Sequence, residues 1–203
     1  MRVLVLGASG MLGNALVRVL PDEGVEAYGP ARSTDCVFDG MRGQYTEDDR
    51  PDAADLDGRS KLLGEVDYPH AVTLRTSIVG HELGSHHGLF DWFLAQQGRV
   101  FGYRRAIFSG LTTVEFARVL ARHVLPKPEL RGVYHLSAEP ISKDALLRIV
   151  AEVYGKSIEI LPKDEPVLDR SLRSDRFRAA AGYTPPDWET MVRELRDVYA
   201  QRG

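Results

Sequence analysis

Two short segments of this 203-residue chain carry residue types that could do chemistry. DLDGRSK, residues 55–61, sets Asp57 four residues before Lys61, a spacing that brings carboxylate and ammonium together on one helix face. The pair reads either as a solvated ion pair or as part of a proton-transfer site. GASGMLG, residues 7–13, spaces Gly7, Gly10 and Gly13 as G-x-x-G-x-x-G. Glycines let backbone N–H groups approach a dinucleotide pyrophosphate, with the positive end of the following helix beneath it. Ser9, Met11 and Leu12 complete that turn and count with the glycines as cofactor contacts. The same turn without a ligand is the plain alternative.

Context favours the cofactor reading. The glycines follow an apolar run, RVLVL, and precede Leu12, Ala15, Leu16, Val19 and Leu20 at helical spacing. Strand, glycine loop and helix in that order make a dinucleotide site far more specific than the glycines alone. PDEG, residues 21–24, stops this helix, and VEAYGPAR reads as a second strand ending at Arg32. An acid at such a strand end holds the ribose 2′-OH, whereas an arginine accepts a 2′-phosphate. Arg32 therefore leans the cofactor towards NADP over NAD, against the alternative of a solvated side chain.

Further along, residues 33–59 read as a loop with an Asp39-Gly40 turn, and a helix is expected from Leu56 to Val66. AVTLRTSIVG predicts a buried strand, LFDWFLAQQG a helix ended by Gly98, and VFGYRRAIFSG an extended stretch. TTVEFARVLARHVL is an amphipathic helix capped by Thr112 or Thr113. A short strand GVYHLS, a helix SKDALLRIVAEVYG closed by Gly155, a strand IEILP and a last helix from near Pro186 complete the pattern. Strands alternating with helices define an α/β protein.

Composition narrows the function classes. With 43% hydrophobic and 27% charged residues the chain is an ordinary soluble type. A net charge of -3 offers no general attraction to nucleic acid or to anionic membranes. No apolar run approaches a membrane span, and Met1 to Leu6 is too short for a signal peptide. One cysteine, Cys36, excludes an internal disulfide and suits a reducing cytoplasm; without a base beside it, it reads as inert.

Several segments in order now point to a family. GASGMLG, STDCVFDG at residues 33–40, YTEDDRPDAADLDGRSKLLGE, LRTSIVG and IFSGLTT together resemble the extended short-chain dehydrogenases/reductases. Within them the chain is most similar to dTDP-4-dehydrorhamnose reductases and related nucleotide-sugar 4-keto reductases. The resemblance implies a Rossmann-type parallel sheet, a nicotinamide cofactor and a nucleotide-sugar substrate. It also implies roles: Thr34 matches the hydroxyl that binds the keto oxygen, and Lys61 matches the lysine that holds the nicotinamide ribose. The proton-donating tyrosine of the Y-x-x-x-K motif is replaced by Asp57.

That replacement bears on function. A forming alkoxide needs a proton, and an aspartate beside an ammonium is already ionised at neutral pH. A second departure is that YGPARSTDCVFDG passes straight from the second strand to the segment that follows the fifth in the family. By that comparison three strands with their helices, roughly 70–80 residues at about 30 per unit, are absent. The expectation is a truncated dinucleotide-binding half, residues 1–80, and a smaller α/β substrate-type half, residues 81–203. Its function would be an impaired NADP- or NAD-dependent reductase of a nucleotide-diphosphate 4-keto-deoxysugar. The alternative is a non-catalytic remnant that binds a nucleotide or a partner chain. Homo-oligomer formation stays open.

Other motifs read as structural. HELGSHHG, residues 81–88, puts His81 and His86 five apart with Gly84 between them, so it fails the helical zinc spacing and reads as a loop. Glu47, Asp48 and Asp49 read as a solvated loop, a minor substrate contact being what the family resemblance adds. RSLRSDRFR, residues 170–178, reads as a solvated basic face, against the alternative of meeting a diphosphate or a partner subunit. Trp92, Phe93, Trp188 and Tyr199 read as core.

Overall fold

The structure, a computed structural model, describes residues 2–4, 26–28, 35–63, 65, 72–82 and 88–200. The glycine loop from Gly7 to Gly13, Arg32 and Thr34 lie outside the described residues. Strand β1 (Arg2–Leu4) pairs in parallel with β2 (Glu26–Tyr28), an arrangement that a tight hairpin cannot make.

Four more parallel pairings follow. β3 (Val72–Arg75) pairs with β8 (Gly132–His135), and β4 (Ile78–Val79) pairs with β7 (Leu111–Thr112). β5 (Arg99–Tyr103) pairs with β10 (Glu159–Lys163). β6 (Ala106–Phe108) lies between β11 (Leu168–Asp169), parallel, and β9 (Ile141–Ser142), antiparallel. Parallel partners far apart in sequence need crossover connections, which the intervening helices supply.

The expected strand AVTLRTSIVG is two strands. The chain changes partner at Thr76–Ser77, where Arg75 O accepts Leu136 N–H at 2.9 Å and Ser77 O accepts Leu111 N–H at 3.0 Å. Gly110 makes this crossing possible, because a Cβ there would lie 2.2 Å from Ser77 O.

The described helices are α1 (Leu56–Leu63), α2 (Leu89–Ala95), α3 (Thr113–Val119), α4 (Lys143–Val153), α5 (Asp175–Ala181) and α6 (Trp188–Ala200). Thr112 caps α3 and Ser142 caps α4, each side-chain oxygen taking a first-turn N–H. α3 runs on as one π-helical stretch, Leu120–Val124. α1 stops at Leu63, short of the expected Val66, and Glu65 turns its carboxylate to Arg75. α2 stops at Ala95; Gly98, at φ 73°, instead turns the chain just before β5.

The main core gathers Phe93, Val114, Leu146, Val150, Met191 and Leu195 from four helices, with β3 and β4 side chains packed against it. Trp92 departs from the core reading at 38% exposed, because it lies on the outer face of α2 beside the buried Phe93. A smaller cluster, Val37, Phe38, Tyr45 and Leu172, matters more for the site. Phe38 and Tyr45 stack at 4.2 Å with planes 7° apart. This pair fixes the single 3₁₀ turn Asp35–Val37 that comes directly after Thr34.

Candidate functional site

Asp55 starts α1: its Oδ1 accepts the Gly58 N–H at 2.7 Å, an N-cap contact. The helix then lies against the Asp35–Val37 turn, and Gly58 is where they touch. This brings positions 57 and 61 beside the segment that carries Thr34 in the sequence.

Asp57 and Lys61 form the pair that their spacing predicts. Lys61 Nζ donates to Asp57 Oδ1 at 2.6 Å and to Oδ2 at 2.7 Å. The partners are not equally exposed: the Asp57 side chain is 66% exposed and that of Lys61 15%. The Lys61 ammonium holds the Asp57 carboxyl below its ordinary range, so this group is a carboxylate at neutral pH and has no proton to give. Two of the three Lys61 N–H groups are taken by Asp57. Among the described residues only Asp57 accepts from Lys61, which leaves a third N–H that a hydroxyl such as that of a ribose could take.

Next to this pair is a cavity of about 230 Å³ whose polar walls are Asp35, Cys36, Ser77, Lys143 and Arg170, with Phe108 among its apolar ones. Four elements deliver these groups: the 3₁₀ turn brings Asp35 and Cys36, the β3–β4 crossing Ser77, the first residue of α4 Lys143, and the segment after β11 Arg170. Ligand pockets run to roughly 300–1,000 Å³, so this volume suits one ring of a ligand and not a whole nucleotide sugar.

Asp35 is 5% exposed. Burial pushes its carboxyl above the ordinary aspartate value, against hydrogen bonds from Cys36 and Ser77 and the charge of Arg170. The Cys36 thiol, which donates to Asp35 Oδ1 at 3.6 Å, is pushed up to about 11 by its own burial and by the charge of Asp35. It stays a neutral thiol, in line with the inert reading.

Arg170 departs from the solvated face expected of RSLRSDRFR. Its backbone N–H bonds Ile107 O at 3.0 Å, which extends the β11–β6 pairing and turns the side chain inward. One guanidinium nitrogen lies 3.8 Å from Asp55 Oδ2, and its buried Nε has no partner among the described residues. Arg173 and Arg176, by contrast, pair at the surface with Asp175 and Asp48. Glu47 also departs from the solvated reading. Its side chain is 5% exposed, and Oε1 accepts the His135 N–H at 2.8 Å.

The sequence pointed to Asp57 and Lys61, held Arg170 within a basic run read mainly as solvated, and offered no pointer to Ser77 or Lys143. For Asp35 a signal existed, an acid directly after Thr34 and ahead of the apolar pair Val37 and Phe38. His81 is more than loop: it meets Asp91 Oδ1 at 2.6 Å and the Tyr154 hydroxyl at 2.7 Å. That network ties the segment after β4 to α2 and α4. Among the described residues no group of three or more His, Cys, Asp or Glu is placed to hold a metal ion, and no helix is long and apolar enough to cross a membrane.

With this geometry established, comparison with known proteins adds ancestry. The sequence profile of the RmlD substrate binding domain matches residues 31–200. A dTDP-4-dehydrorhamnose reductase from Sinorhizobium fredii is 30% identical over 188 residues, covering 80% of this chain and 63% of that protein. The methionine adenosyltransferase 2 subunit beta of Danio rerio is 31% identical over 150 residues, covering 66% of this chain and 46% of that protein. The chain thus spans about half to two thirds of the length of these curated relatives. The crystal structure of dTDP-4-dehydrorhamnose reductase from Bacillus anthracis str. Ames in complex with NADP shares the fold. Its TM-score is 0.79 at 16% identity, covering 100% of this chain and 99% of that one.

Proposed function

Because the chain belongs to the family of the RmlD substrate binding domain, we propose that it is a nicotinamide-dependent reductase of the 4-keto group of a nucleotide-diphosphate deoxysugar. One observation carries the reading. The mostly buried Lys61 is held against the Asp35–Val37 turn, beside a cavity the size of one sugar ring. In this reading Gly7, Ser9, Gly10, Met11, Leu12 and Gly13 hold the pyrophosphate, and Arg32 selects NADP over NAD. Thr34 polarises the carbonyl, and Lys61 orients the ribose through its remaining N–H. The bound nicotinamide supplies the hydride; the chain's own residues position the ketone, exclude water and supply a proton.

The cavity draws Asp35 and Cys36 from residues 1–80, and Lys143 and Arg170 from residues 81–203. That supports a division of labour between a cofactor half and a substrate half. A single cysteine, kept as a neutral thiol, suits the cytoplasm.

Asp57 favours a second reading, a non-catalytic chain that binds a nucleotide or a partner. Its carboxylate takes two of the Lys61 N–H groups and donates nothing. The Danio rerio relative is itself named as a subunit. Titration with NADPH and NADH, followed by quenching of tryptophan fluorescence, separates the two when joined to turnover on a dTDP-4-keto-6-deoxyhexose. Binding with turnover supports the reductase; binding without turnover supports the second reading; no binding removes the reductase.

A further inference from the structure

A ketone reduced in this site needs an acid, and position 57 holds a carboxylate. We propose that Asp35, in the wall of the cavity, is the catalytic residue that delivers this proton to the substrate oxygen, an inference that rests on the reductase reading. Asp35 follows Thr34 directly, and its side chain lines the cavity while being almost wholly withdrawn from bulk water. Its turn is pinned on one side by the Phe38–Tyr45 stack and on the other by α1, so the carboxyl is held in place before any ligand enters.

The other groups facing the cavity serve the proton less well. Lys143 is exposed at the first residue of α4. The Cys36 thiol, at about 11, holds its proton far above neutral pH, and general acids work best near the working pH. The Ser77 hydroxyl is weaker still. The Asp35 carboxyl, fixed in the cavity wall and raised by burial above the ordinary aspartate value, is the group better placed for the task.

The step balances. A bound reduced nicotinamide would supply the hydride of the new C–H bond as the carbonyl π pair moves onto oxygen. That oxygen takes the proton as the Asp35 O–H bond breaks. The Asp35 carboxylate left behind receives the Cys36 thiol proton in a hydrogen bond. It also gains the nearby charge of Arg170, whose Nε has no other partner among the described residues. Water entering the mouth of the cavity restores the proton.

Two measurements on the full chain test this. In the first, wild type, D35N and C36A are compared on a dTDP-4-keto-6-deoxyhexose with NADPH across pH. D35N should lower kcat by about 100-fold or more with KM little changed, and should remove the alkaline fall of the wild-type profile. The second uses wild type labelled with ¹³C at aspartate carboxyls and no cofactor. One carboxyl should titrate well above all the others. If wild type turns over and D35N matches it, or if C36A and not D35N loses the activity, the proposal is overturned while the reductase reading stands. If no aspartate titrates high, the proposal is overturned whether or not D35N folds. A wild type that binds no NADPH and reduces no keto sugar overturns the reductase reading and this inference together.

Discussion

Gly58 of α1 lies directly beneath the carbonyl oxygen of Cys36: a Cβ on residue 58 would come within 2.3 Å of that oxygen and 2.5 Å of the Ala53 Cβ. Glycine inside a helix costs about 1 kcal/mol relative to alanine, and here close approach is the reason it is present. The obstacle is backbone on one side, so it cannot rotate away. G58A should therefore destabilise the protein by roughly 1–3 kcal/mol despite its better helix propensity. It should also weaken NADPH binding by pushing Lys61 off the turn. Urea unfolding and fluorescence titration of the same variant check the two effects.

Asp57 is the position where one substitution should add a second acid. Its side chain stands mostly in solvent, so D57Y should change stability by less than about 0.5 kcal/mol, the lost ion pair being worth only roughly 0.3–0.5 kcal/mol. A phenol beside the freed Lys61 ammonium keeps its proton at neutral pH and has its pKa lowered by the neighbouring charge. Turnover on a 4-keto sugar nucleotide should rise by at least about tenfold. In this background D35N should cost less than in wild type, because a second acid then serves the oxygen. A kcat that does not move would place the limit in the cavity's shape and not in its acid.

What the sequence made legible was what is local. The α1 pair, the Thr112 and Ser142 caps, and the alternation of strand and helix rest on residues within four positions of one another. They could be read from spacing alone. The cavity could not, because its walls come from residues 35, 77, 143 and 170, brought together by crossovers whose partners no single sequence reveals. Arg170 and Arg173 sit three residues apart in one basic run. Only the backbone bond of Arg170 to Ile107 decides that the first turns inward while the second meets Asp175 at the surface. His81 is similar: Asp91 and Tyr154 lie 10 and 73 residues away, so a loop reading was the most that its neighbours could support.

Arg75 at the end of β3 makes a two-bonded pair with Glu65, Nε to Oε1 at 2.7 Å and Nη2 to Oε2 at 2.8 Å, both side chains under 10% exposed. It also faces the buried His135, whose Nδ1 lies 3.0 Å from Tyr45 O and must donate to it. Burial holds His135 below its ordinary pKa, so a neutral ring presents Nε2 to Arg75 as an acceptor. Removing one partner of a buried pair leaves an uncompensated charge, so E65A should cost about 3–5 kcal/mol. The double variant E65L/R75M should recover much of that loss, and chemical denaturation of both distinguishes a pair that specifies geometry from one that supplies net stability.

The Tyr183 hydroxyl donates to Glu115 Oε1 at 2.9 Å inside the seam between α3 and the segment leading into α6. Glu115 is faced by Arg118 from its own helix, by Glu194 from α6 and by His123 from the π-helical stretch. Burial is the largest influence and raises its carboxyl above the ordinary 4.5, while the Tyr183 bond and the charge of Arg118 pull it back. A raised acid binds its proton more tightly in the fold than in the open chain. Between the unfolded and folded values the native state therefore holds a proton that the unfolded state has released, and stability falls as pH rises through that window. E115Q, which keeps the hydrogen bond without the charge, should flatten this limb of the melting-temperature profile. Y183F removes a bond that favours the carboxylate, so the limb should extend to higher pH, with a loss of about 1–2 kcal/mol at neutral pH. Identical profiles for wild type and E115Q would mean that water reaches Glu115 and that burial does not set its charge.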